Sequence, residues 1–152
     1  MVGNSSRRPT TEKDTQMEKP VITEEIIPED RDAEMALLGA MMMGGDIQAC
    51  SAVIGDDAEH AFYTPQHGEV YRHLLAMHER KMPIDLVVMR DYMRGVGASD
   101  DVMGIDFLIE LAESFGAPEN GPHYARIVRE MNDRRKLIRC GWTAVDIAKD
   151  KL

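Results

Sequence analysis

From Pro122 to Asp150 the chain runs for nearly thirty residues without an internal proline: PHYARIVREMNDRRKLIRCGWTAVDIAKD. Apolar residues return at helical spacing, at Tyr124, Ile127, Val128, Met131, Ile138, Trp142, Val145 and Ala148. Pro122 suits a first helical turn, where its missing amide hydrogen is no loss. A helix this long reaches about 40 Å at 1.5 Å per residue, more than a small globule covers. Part of it should project and bury its stripe against something else. The stretch therefore predicts an assembly module.

The rest of the chain is also expected to be helical. Aromatic residues make up 5% of the 152 positions against 12 methionines, a balance that favours helix over sheet. No strand pattern and no repeat interrupts it. Residues 1–27 are polar, with almost nothing apolar before Val21, and read as a flexible tail. Asp30 is a good N-cap, with Asp32 and Glu34 adding negative charge to the first turn. That helix runs to Gly44-Gly45 and is apolar over a wide arc. Asp46 caps a second helix through Ile54. Thr64-Pro65 starts a third, carrying His67, Val70, Tyr71, Leu74, Leu75 and His78, and Asp85 caps a fourth with Leu86, Met89, Tyr92 and Met93. Asp101 begins a helix with Phe107, Leu108, Leu111 and Phe115, and a short turn from Gly116 to Gly121 leads into the long helix. The expected fold is all-α: a bundle of about four core helices over 28–100, then an antiparallel helical hairpin over 101–152.

Charge and composition exclude several functions. A net charge of -9 argues against nucleic acid binding over the whole surface. Basic residues concentrate in the long helix, at Arg126, Arg129, Arg134, Arg135, Lys136 and Arg139. They read as a solvated face or as a surface meeting acidic patches of a partner subunit. Cys50 and Cys140 stand far apart in no metal-like spacing, which suits a reducing compartment, and no apolar run is long enough to span a bilayer. A cytoplasmic protein is expected. Among five histidines there is no HExxH motif and no metal-ligand spacing, and His67 on an apolar face reads as a hydrogen-bonded core histidine. Gly95-Val96-Gly97-Ala98-Ser99 lacks the lysine and preceding strand of a phosphate-binding loop. The residues offer no catalytic group, cofactor site or metal site. The methionines at 35, 41, 42, 89, 93 and 131 follow helical periodicity and read as core filling.

Several motifs in order resemble the N-terminal domain of the DnaB-type replicative DNA helicases. They are Pro28-x-x-x-Asp32-Ala33-Glu34-x-Ala36-x-Leu38-Gly39, Phe62-Tyr63-x-x-x-His67-x-x-Val70-Tyr71, Pro83-Ile84-Asp85-Leu86, Phe107-Leu108-x-x-Leu111, and Tyr124-Ala125-x-Ile127-Val128-Arg129-Glu130 with Arg135-x-Leu137-Ile138. The resemblance covers roughly residues 28 to 150. It implies a helical globule followed by a hairpin through which copies pair, as a dimer or a hexameric collar. It also implies a DnaG-type primase and a helicase loader as partners, with DNA reached only through the assembly. Self-association is then expected at Phe107, Leu111, Tyr124, Ile127, Val128 and Met131, rimmed by Arg126, Arg129 and Arg135. Two positions depart from the family pattern: Met103-Gly104 replaces a glycine pair, and Trp142 is bulky where a small residue is usual. The sequence ends where the family's ATPase motor follows, so motor chemistry is not carried over. An alternative expectation is a stand-alone adaptor or inhibitor that binds primase or a helicase collar.

Overall fold

Asp30 accepts a hydrogen bond from the Ala33 amide at 2.9 Å and starts α1 (Arg31–Met42). Asp46 does the same for α2 (Ile47–Ile54) through Ala49. Asp85 takes the Val87 and Val88 amides, both at 2.9 Å, to start α5 (Leu86–Gly95). Each carboxylate satisfies amides that have no partner within the helix. This computed structural model describes residue 3 and residues 27–114 and 116–150. Nearly all of the expected N-terminal tail, and Phe115, lie outside the described residues.

Between these helices lie a one-turn α3 (Ala58–Ala61) and α4 (Pro65–Glu79). The single helix expected from Asp101 is instead two, α6 (Asp100–Met103) and α7 (Ile105–Glu113). Gly104 separates them with an extended ψ of 122°, so the Met103-Gly104 corner is a helix break. Ser99 is tied to α4 there, donating from its amide and hydroxyl to Glu69 at 2.9 and 2.7 Å. A turn of 3-10 helix (Pro118–Asn120) then leads into α8 (Gly121–Asp150).

The wide apolar arc of α1 makes it the central element. Leu37, Leu38, Ala40 and Met41 are fully buried, and α4, α7 and α8 all pack around them. The expected hairpin is spread by this arrangement: α7 packs on α1 and α5, α8 packs on α1 and α2, and among the described residues the two arms do not pack on each other. Met41, Met42, Met89 and Met93 are buried as core filling, whereas Met35 and Met131 are half-buried. Gly121 lets α8 begin hard against α2 and α1. A Cβ there would stand 2.7 Å from the Cys50 sulfur and 3.6 Å from the Ala40 Cβ.

Candidate interaction surface

The first half of α8 is part of the core. Ala125, Val128, Asn132 and Arg135 are buried at spacings of three and four residues, one stripe turned toward α1 and α2. Asn132 donates to the Asp57 carboxylate at 3.0 Å, and Lys136 meets the same carboxylate at 2.6 Å. Lys136 first, then Asn132, hold the Asp57 carboxyl well below the usual carboxylate range. Arg135 donates to the carbonyls of Pro28 at 2.8 Å and Ala61 at 2.7 Å. Its guanidinium also lies 5.9 Å from the centre of the Tyr63 ring. Burial pulls the Arg135 pKa down, with the nearby Glu34 charge opposing that shift.

Glu34 belongs to the same interior. It is 2% exposed and receives the Tyr63 amide at 2.5 Å, the Thr64 amide at 3.3 Å and a contact from His67 Nδ1 at 2.7 Å. Thr64 stands at the N-cap of α4, before Pro65 as expected, but its side chain makes no capping bond. In a capping box the third helical residue returns a carboxylate to the N-cap amide. Here His67 holds that position and the carboxylate arrives from α1. This network fixes α4 to α1 and gives the buried Glu34 carboxylate three partners, while the buried Thr64 hydroxyl has none among the described residues. It is a structural site rather than a reactive one.

The second half of α8 is different. Leu137 is 72% exposed, Val145 51%, Ile147 53% and Trp142 45%. From Leu137 to Asp150 the helix extends about 20 Å, and no residue in this half is buried. Two shallow hollows run along it. One is lined by Ile27, Arg135, Ile138, Arg139 and Trp142, the other by Lys136, Arg139, Cys140, Thr143, Ala144 and Ile147. Other apolar exposures occur at Val87 on α5, 79%, and at Ile105 and Ile109 on α7. Among the described residues no three His, Cys, Asp or Glu side chains group as a metal site, and no helix is long and apolar enough to cross a membrane.

The residues expected at the self-association surface do not stand together. Leu111 and Val128 lie inside this chain's own core, 0% and 1% exposed, because they face α1. Arg135, expected at the rim, is interior because two backbone carbonyls need its donors. Phe107 is half-buried and stacked on His67, with ring centres 6.1 Å apart. The Tyr124 hydroxyl accepts the Gly116 amide at 3.3 Å, and Ile127 and Met131 are half-buried. Arg126 is exposed, and Arg129, also exposed, donates to the Val53 carbonyl at 3.1 Å. The uncovered apolar residues lie further along α8. Leu137, Gly141, Ala144 and Ala148 repeat there every three or four residues, a signal the sequence held but that the first half of the helix masked.

Comparison with known proteins places these features in a family. Residues 26–130 match the model of the DnaB-like helicase N terminal domain. The replicative DNA helicase DnaC of Bacillus subtilis is 32% identical over 132 residues, covering 86% of this chain and 28% of that protein. The replicative DNA helicase DnaB of Geobacillus stearothermophilus gives the same identity and coverage. The crystal structure of the N-terminal domain of DnaB helicase from Mycobacterium tuberculosis superposes with a TM-score of 0.74 at 27% identity, covering 81% of this chain and 88% of that one. The chain thus spans about 28% of the length of these curated helicase relatives, and nearly all of the solved domain. With this family match and the all-helical fold it shares with the solved domain, this chain belongs to the family of DnaB-like helicase N-terminal domains.

Proposed function

We propose that this chain works in DNA replication, in the cytoplasm, as an assembly module that pairs with copies of itself and presents the assembly to a DnaG-type primase and a helicase loader. The observation that carries the reading is the second half of α8, a projecting helix with large apolar residues in solvent. Leu137, Gly141, Ala144 and Ala148 follow the alternating four- and three-residue spacing that lets two helices interlock. Small side chains at three of these positions allow close approach, and each large apolar side chain covered contributes about 1.5–3 kcal/mol. The family's relatives are named as replicative helicases, which supports the setting. Half-buried Phe107, Tyr124, Ile127 and Met131 and exposed Arg126 and Arg129 contribute secondary contacts at most.

Sedimentation of the full chain tests this. A concentration-dependent dimer or larger assembly is expected, and Leu137→Asp with Ile147→Asp should return it to a monomer with unchanged helical circular dichroism. A wild-type chain that remains a monomer at high concentration overturns the proposal. Primase binding is then tested by adding a DnaG-type primase to the wild type and the double variant and measuring co-sedimentation.

A further inference from the structure

Three segments meet beside the C-terminal end of α1 without closing over it. Met42 and Met43 at that end, Ile84 ahead of α5, and Leu86, Val87 and Met89 of α5 line a hollow of about 500 Å³. Ala112 of α7 stands in the same wall. A second hollow, of about 350 Å³, shares Met42, Gly44 and Ile84 with the first and continues to Met41, Met82 and Ile47. The floor is buried, with Met41 1% and Met89 0% exposed, but the rim is not: Met43 is 53% exposed and Val87 79%. Five methionines therefore line one continuous trough, and Met43 is too open to be core filling. Thioether side chains are unbranched and adaptable, so such a lining accepts apolar side chains of varied shape.

The charge around the trough selects its occupant. Asp85 lines the first hollow and Asp46 the second, and no lysine or arginine lines either. Asp85 gives one carboxylate oxygen to the Val87 and Val88 amides, and Asp46 gives one to the Ala49 amide. The other oxygen of each has no partner among the described residues. α7, which supplies Ala112, carries Asp106, Glu110 and Glu113 and no cation. Arg90 and Arg94 lie past Val87, around a separate hollow with Ile105. Among the described residues there is no strand, so a peptide cannot bind here by extending a sheet.

We infer that this trough binds a helix of another protein, apolar along one face and carrying lysine or arginine on its flanks. Apolar side chains from successive turns of that helix enter the two adjoining hollows. Its cations meet the free oxygens of Asp46 and Asp85, which fixes the orientation and rejects acidic helices. No residue of α8 lines either hollow, so the inference stands apart from self-association through α8.

Methionine methyl groups report the contact directly. Two synthetic helical peptides are titrated into the full chain labelled with carbon-13 at its methionine methyls. Both carry leucines one turn apart on one face; one has lysines on the flanks and the other glutamates. The lysine peptide should shift the Met42, Met43 and Met82 signals saturably and leave Met35 and Met131 in place. The glutamate peptide should bind at least tenfold more weakly. Asp46→Asn with Asp85→Asn keeps both helix caps, since asparagine also caps, and should weaken the lysine peptide a few-fold. The absence of a saturable shift, shifts confined to methionines outside the trough, or equal affinity for the two peptides overturns the inference. So does unchanged affinity of the lysine peptide for the double variant. Trough signals that move with protein concentration when no peptide is present overturn it too, because a second copy would then be the occupant.

Discussion

From Gly121 to Lys136, α8 turns Ala125, Val128, Asn132 and Arg135 into the globule and leaves its charged face in water; from Leu137 to Asp150 no residue of the same helix is buried among the described residues. Both halves have apolar residues at helical spacing, so periodicity alone does not distinguish them. What differs is the partner within reach. The first half meets α1 and α2, and its polar residues find Asp57, Pro28 and Ala61. The second half has outrun the domain. One amphipathic pattern therefore has two settings, an intramolecular core and a face left in solvent, and the boundary is set by the size of the globule.

The contrast predicts opposite responses to similar substitutions. The largest effect belongs to Val128→Asp. An uncompensated charge in the interior costs about 3–5 kcal/mol, enough to unfold a marginal domain, and urea denaturation should show it. Arg135→Met comes next. Its aliphatic stem is replaced, but the Pro28 and Ala61 carbonyls lose their donor, a loss of about 1–3 kcal/mol by the same measurement. If Arg135→Met were neutral, Arg135 would be a surface residue after all and the boundary between the halves would move toward Asn132.

How much of this was legible follows from how far each interaction reaches along the chain. Asp30, Asp46 and Asp85 were readable as caps because the amides they hold lie two or three residues away. His67 was readable as a bonded core histidine from its apolar neighbours. Its partner was not: Glu34 lies 33 residues earlier and carries the composition of an ordinary first helical turn. Arg135 failed for the same reason, since its acceptors are 107 and 74 residues distant. A hint existed, because Arg135 continues the 125, 128, 132 spacing and so had to face inward with the rest. The hairpin was legible as two successive helices but not as two helices held apart, because the breadth of the apolar arc on α1 does not say which neighbours it separates.

A smaller effect tests the edge of the buried half. Asp57 bridges Lys136 and Asn132, and its carboxyl is held below the usual range by them. A lowered carboxylate pKa gives stability that is present above the unfolded value of about 3.9 and is lost as pH falls toward the folded value. The carboxylate is a third exposed, so solvent limits the contribution to roughly 1 kcal/mol or less. Asp57→Ala should therefore be slightly less stable than the wild type at pH 7. The gap should narrow in urea titrations carried below about pH 4.

The smallest effect on stability is expected at Leu137, where the comparison is sharpest. Leu137→Asp places a charge nine positions after Val128 on the same helix, yet the side chain there is already 72% exposed. No cavity forms and no buried group loses a partner, so stability should change by no more than about 0.5 kcal/mol. Association should nevertheless weaken, because in a pair of helices the charge would enter the seam between Gly141 and Ala144 of the facing copy. Urea denaturation at a dilution where the wild type is monomeric isolates the first quantity, and sedimentation at higher concentration isolates the second. A substantial loss of monomer stability would mean that this face of the second half of α8 is covered within its own chain. Unchanged association would move the seam to another face of the helix, while unchanged stability would still leave the division between its two halves intact.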